Sequence, residues 1–156
     1  MSHSNAMNIL WRVALQEAVA ARSEYIEPEH LLEALTKGND FCREDLLKEV
    51  QARGMDADAF ACELRFVPEI LGGAAINPTQ LRRSMRALLG TGTYDHAPGA
   101  VIHRSERARA MSAAAEKVAA DMGLDHAHAG ALFVVILSEK NSKTVQLLAG
   151  GGHDGD

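Results

Sequence analysis

Residues 18–35 read AVAARSEYIEPEHLLEAL, and they contain the end of one helix, a short connection and most of a second helix. Upstream, Leu10, Val13, Ala14, Ala18 and Ala21 recur at spacings of three and four, so one helical face extends from Met7 to about Arg22. The small residues on that face allow close packing. Pro28 opens the next helix, where its missing N–H costs nothing, and Glu29 meets the positive end of the helix dipole. Leu31, Leu32 and Leu35 form its core face. A shift of 101 lays AADMGLDHAHAGALFVVI, residues 119–136, over the same stretch without a gap. Ala14 then falls on Ala115, Ala18 on Ala119, Leu31 on Leu132, Leu32 on Phe133 and Leu35 on Ile136. A period this long is not a short-repeat solenoid. It predicts an all-α fold of two pseudo-symmetric helical bundles, about eight helices in one unit.

Working outward, Asp40 is expected to cap a third helix carrying Leu46, Leu47 and Val50, which Gly54 stops. Asp56 caps a fourth through Phe60, Leu64 and Phe66. Pro68 to Pro78, with Gly72 and Gly73, reads as a linker, and Asn77 and Pro78 start an additional helix ending near Gly90. That helix sets Leu81, Met85, Leu88 and Leu89 against Arg82, Arg83 and Arg86. Ser105 caps a long helix to about Met122, residues 125–128 turn, an apolar helix follows through Leu137, and Ser142 opens a short last one. The expected organisation is repeat one at about 7–67, linker plus extra helix at 68–104, repeat two at 105–149, and a Gly-rich flexible tail at 150–156. MSHSNA, residues 1–6, has the look of an expression-tag remnant and is expected to lie outside the fold, the domain spanning 7–152. The second repeat lacks a final helix after Leu148. The additional helix is expected to cover that place, burying Leu81, Met85 and Leu88 and leaving its three arginines in solvent.

The 156 residues carry 16 Lys plus Arg against 21 Asp plus Glu, a net charge of -5 that weighs against a general nucleic-acid binder. The charge is uneven: residues 1–77 hold 7 basic and 13 acidic groups, and residues 78–109 hold 6 and 2. Cys42 and Cys62 are too few for a disulfide framework and are expected to be reduced, small apolar residues. No apolar run is long enough for a membrane span and no signal-peptide layout opens the chain, so a soluble, cytoplasmic protein is expected.

The A-xxx-A helix, then YIEPEHLLEAL, then DLLKEVQARGMDADAF resembles the Clp N-terminal domain found at the front of AAA+ protein unfoldases; Y-I-x-x-E-H-L-L carries the likeness most strongly. SERARAMSAAAEKVAADMG and ALFVVILSEKNSKTVQLLAGGG resemble its degenerate second repeat. The likeness covers roughly Asn8 to Gly152. It implies a non-catalytic module that docks adaptor proteins or unfolded polypeptide and delivers them to an AAA+ motor, in cis or in trans. In Gram-positive relatives two equivalent Glu positions dock phosphorylated arginine; of that pair Glu29 is present and Gly130 replaces the second. Tyr25, Ile26, Glu29 and His30 are the candidates for the rim of a binding groove between the bundles. Arg82, Arg83 and Arg86 are the candidates for gripping an acidic partner or phosphate.

The residues offer no catalytic motif. No G-xxxx-G-K-[ST] occurs, and GTGT at 90–93 has no Lys to reach a phosphate. No Ser or Cys has the flanks of a nucleophile. His126 and His128, at i, i+2, point apart and read as a solvated turn rather than a metal site. His30 reads first as a packing or hydrogen-bonding residue. Neither enzyme activity, cofactor nor metal is expected, and the isolated chain is expected to be a monomer. Two other readings stay open: a freestanding double-repeat regulator or accessory subunit of a Clp machine, and a helical nucleic-acid-binding regulator using the three arginines.

Overall fold

The structure, a computed structural model, describes residues 2–139 and 142–150. Among these, eight helices carry the fold: α1 (Asn5–Ala20), α2 (Pro28–Thr36), α3 (Glu44–Ala52), α4 (Ala57–Gly73), α5 (Pro78–Leu89), α6 (Glu106–Asp121), α7 (Ala129–Ser138) and α8 (Lys143–Ala149). Two short strands, β1 (Ser2–His3) and β2 (His126–Ala127), pair in parallel. The chain is therefore all-α. No helix among the described residues is long and apolar enough to cross a membrane.

The 101-residue offset holds for the backbone. Ser4 caps α1 by accepting from the Met7 N–H, and Ser105 caps α6 by accepting from the Ala108 N–H, at 3.1 Å each. α1 and α6 are both 16 residues long. α2 and α7 start at Pro28 and Ala129, after the extended caps Glu27 and His128. Each repeat also lends its leading residues to the connection inside the other: His3 pairs with Ala127, and Arg104 pairs with Ile26. The Ser4 N–H donates to the Ala127 carbonyl at 3.1 Å, and the Ser105 N–H to the Ile26 carbonyl at 3.0 Å. This reciprocal exchange fastens the repeats together, and for residues 2–6 it corrects the expectation that residues 1–6 lie outside the fold; Met1 falls outside the described residues. Ser2 and His3 supply backbone pairing, Ser4 caps a helix, and Ala6 and Met7 are 1% and 2% exposed. The tail expected beyond Gly150 falls outside the described residues.

The two caps should differ in worth. Ser105→Ala removes one cap bond and is expected to cost about 1 kcal/mol in a denaturant melt. Ser4→Ala should cost more, because the Ser4 hydroxyl also donates to Glu63 at 2.5 Å, and Glu63 in turn accepts from the Ala129 N–H at the start of α7. Equal losses would show that this link between the repeats contributes nothing.

The expected core face of α1 and α2 is buried: Leu10, Ala14, Ala18, Leu31, Leu32 and Leu35 are all at most 2% exposed. Leu132, Phe133 and Ile136 are likewise buried in α7, at most 3% exposed. Leu32→Ala is expected to cost about 2–5 kcal/mol, a buried leucine truncation.

Three local expectations are corrected. Asp40 lies in a 3-10 turn, Gly38–Phe41, and α3 starts only after Arg43, which makes no side-chain cap bond. The expected linker at 68–78 is helical as far as Gly73, since α4 runs through Pro68. Proline leaves the Leu64 carbonyl without its partner four residues on, and normally costs about 3 kcal/mol. Here Val67, Pro68 and Leu71 are all buried, and packing outweighs that loss. Gly38 abuts the same Leu64 carbonyl, where any Cβ would overlap the oxygen. The third correction concerns Phe66, which is 42% exposed rather than core.

α5 packs on α2 and α8 as α4 packs on α7 and α3, so it occupies the position a final second-repeat helix would take. It arrives from the linker and runs antiparallel to α2: Arg82 meets Thr36, and Arg86 meets Glu33 one turn earlier. Leu81 and Met85 are 0% exposed, as expected, but Leu88 is 40% exposed because α2 ends its contact beside Glu29.

Candidate docking site

α3 places Leu46 and Val50 one turn apart on one face, and Gly54, with φ +78°, ends the helix so that Met55 folds back and bonds the Val50 carbonyl at 3.2 Å. α3 makes its main contacts with α4 and stands off α1. The gap is a cleft of about 270 Å³ walled by Ile9, Phe41, Leu46, Val50, Met55 and Phe60. Asn5, Asn8, Arg12, Glu49 and Arg53 surround its mouth. Arg53 is held by Glu49 at 2.7 Å. Arg12 is exposed and has no ion-pair or hydrogen-bond partner among the described residues. The lining contains no Ser, Cys, His or carboxylate pair, so it is an apolar receptacle with polar lips.

A second cleft of about 430 Å³ lies between the repeats, where α2, α5, α6 and the start of α8 meet beside Glu139 at the end of α7. Arg107 is its centre, 3.2 Å from Glu29, 3.4 Å from Glu139 and 4.0 Å from Glu27. The other Glu29 oxygen, Oε2, is buried without a hydrogen bond, and the half-exposed Leu88 and Leu89 flank it.

The predicted site residues separate. Tyr25 is 41% exposed and Glu29 reaches the inter-bundle cleft. Ile26 and His30 are not rim residues. Ile26, 4% exposed, is buried by its bridge to Arg104, and His30 turns inward to accept the Glu27 N–H on Nδ1 at 2.9 Å. Burial holds the His30 pKa below its ordinary value, against the pull of Glu29 and Glu27. The arginines form no free patch. Arg82 donates to the Thr36 carbonyl at the end of α2, Arg86 grips Glu17 at 3.0 and 3.1 Å, and Arg83 is exposed. His126 bonds Ser2, and His128 lies 3.7 Å from Glu63. Cys42 is partly buried, but Cys62 is exposed.

The departures of the second repeat also have physical reasons. Ala131 cannot supply the acceptor that His30 gives the Glu27 N–H, and Glu63 from α4 accepts the Ala129 N–H, a donor that Pro28 lacks at the same place in α2. Gly130, in place of Glu29, lies under Phe66, whose ring would come within 3.1 Å of any Cβ there.

Behind α5 sits a cluster that sequence reading missed. Glu17 and Glu33, 6% and 2% exposed, face each other with Lys37 and Arg86 around them. Burial and the hydrogen bond with Glu17 push Glu33 up to about 8. Burial opposes ionisation of Glu17 as well, but hydrogen bonds from Glu33, Lys37 and Arg86 prevail and hold it at about 2. At neutral pH Glu33 therefore keeps its proton and donates it to ionised Glu17. The signal was one acidic residue, Glu33, inside the leucine face of α2.

No known protein family matches the sequence, and no curated protein does.

Proposed function

We propose that this chain is a Clp-type N-terminal domain: a non-catalytic module that docks adaptor proteins or unfolded polypeptide for an AAA+ unfoldase, present in cis or in trans. The observation that carries the proposal is the apolar cleft between α1, α3 and α4, open to solvent and ringed by polar side chains, as recognition of apolar chain segments requires. The Y-I-x-x-E-H-L-L stretch and the two-repeat backbone support the same reading. A nucleic-acid role is not favoured, because Arg82 and Arg86 are engaged by Thr36 and Glu17.

Fluorescence anisotropy with labelled, permanently unfolded carboxymethylated lactalbumin tests the proposal. Saturable binding is expected, and Leu46→Asp, which puts a charge on the partly buried cleft wall, should abolish it while the protein still melts cooperatively. Absence of binding, or binding indifferent to Leu46→Asp, would reject the cleft as a docking site.

A further inference from the structure

We infer that the α1/α3/α4 cleft selects a polypeptide segment carrying an apolar anchor beside a single carboxylate, the anchor filling the cleft and the carboxylate pairing with Arg12. The inference rests on the docking reading and names the chemistry of the partner.

The size of the cleft limits what enters. About 270 Å³ lies below the roughly 300–1,000 Å³ of small-molecule sites, and suits one or two large side chains projecting from a chain that itself stays outside. Phe41, Met55 and Phe60 supply flat and adaptable apolar walls for such an anchor.

The lip chooses the flanking charge. Asn5, Asn8 and Arg12 follow one another at three and four residues along α1, so they stand in a row above the cleft. Arg53, across the mouth, already has Glu49. Arg12 has no carboxylate of its own, which leaves the mouth with one uncompensated positive charge among its described residues. A guanidinium forms its strongest contacts with a carboxylate, held by two parallel hydrogen bonds. Longer acidic runs are disfavoured, since residues 1–77 hold 13 acidic groups against 7 basic, and a field of that sign repels them. Screening over about 10 Å leaves the short-range pair with Arg12 intact. One Asp or Glu next to the apolar anchor satisfies both conditions.

Displayed random peptides selected in parallel against the wild-type protein and Arg12→Glu test this. Wild type should enrich apolar residues adjacent to Asp or Glu, and Arg12→Glu should enrich the same apolar residues adjacent to Lys or Arg. A peptide selected on wild type, labelled and titrated by anisotropy, should lose about tenfold in affinity on Arg12→Gln and most of its binding on Leu46→Asp. The same charge preference in both selections, or an unchanged affinity on Arg12→Gln, would overturn the inference and leave the docking reading standing. Recovery of no peptide by the wild-type protein would overturn both.

Discussion

Replacing Glu33 with Gln is expected to stabilise the protein, and to do so increasingly as the pH rises from about 5 to 8. The folded state holds the Glu33 proton up to about 8, whereas the unfolded chain releases it near the ordinary value of 4.5. The stability tied to that proton is fully present below 4.5 and is lost as pH rises towards 8, at about 1.4 kcal/mol per pH unit. Gln cannot ionise, yet its amide N–H donates to Glu17 as the protonated carboxyl does. Glu17 acts in the opposite sense: its depressed value adds stability above 4.5 that disappears as pH falls towards 2. Glu17 stays ionised in both proteins over pH 5–8, so within that window the difference between their melts reports Glu33. At pH 8 the variant should be the more stable by roughly 3–4 kcal/mol, or about 10 °C in melting temperature. Parallel stability curves over pH 5–8 would show that the two carboxyls do not share a proton.

Cutting Leu81 and Met85 back to alanine together is expected to cost at least about 4 kcal/mol, the sum of two buried truncations near the low end of the measured range. Both side chains are 0% exposed under α5. Their loss should release α5 from α2 and α8 and open the Glu17–Glu33 cluster, since the Arg86 grip on Glu17 depends on α5 being seated. Amide exchange should accelerate across the whole of α5 before global unfolding. Leu88→Ser, one turn further along, should shift the melt by less than about 0.5 kcal/mol, because that side chain already faces solvent by 40%. A double variant that melts with the wild type would mean that α5 is an appendage and not a substitute helix.

The leucine face of α2, the alanine face of α1 and the 101-residue offset were legible because hydrophobic periodicity and close-packing small residues are local properties of the chain. Caps were legible where the side chain bonds its own helix, as at Asp56, Asn77, Ser105 and Ser142. Asp40 failed because the same residue type serves a 3-10 turn equally well, and no local feature distinguishes the two. Pro68 failed because its cost is local while its compensation, burial against other helices, is not. None of the site residues singled out from the sequence lines the α1/α3/α4 cleft, and of the four rim candidates Glu29 is the one that reaches the cleft between the repeats. The walls of the α1/α3/α4 cleft come from Ile9, Phe41, Leu46 and Phe60, which are far apart in sequence and adjacent only once α3 stands off α1.

The sequence by itself determined that the chain is helical, that it is doubled, and which faces of the central helices are buried. Each of those follows from residues within a turn or two of one another, or from their repetition. The tertiary structure alone decided which charges are available to a partner. Arg86 and Arg82 resemble Arg12 in sequence, yet the first two are occupied by Glu17 and Thr36 across helix contacts, while Arg12 faces solvent beside an apolar cleft. It also decided that residues 2–4 belong to the second repeat's connection as much as to the first repeat. A parallel backbone pair between residues more than a hundred positions apart depends on where the helices bring them, and leaves no pattern in the residues themselves.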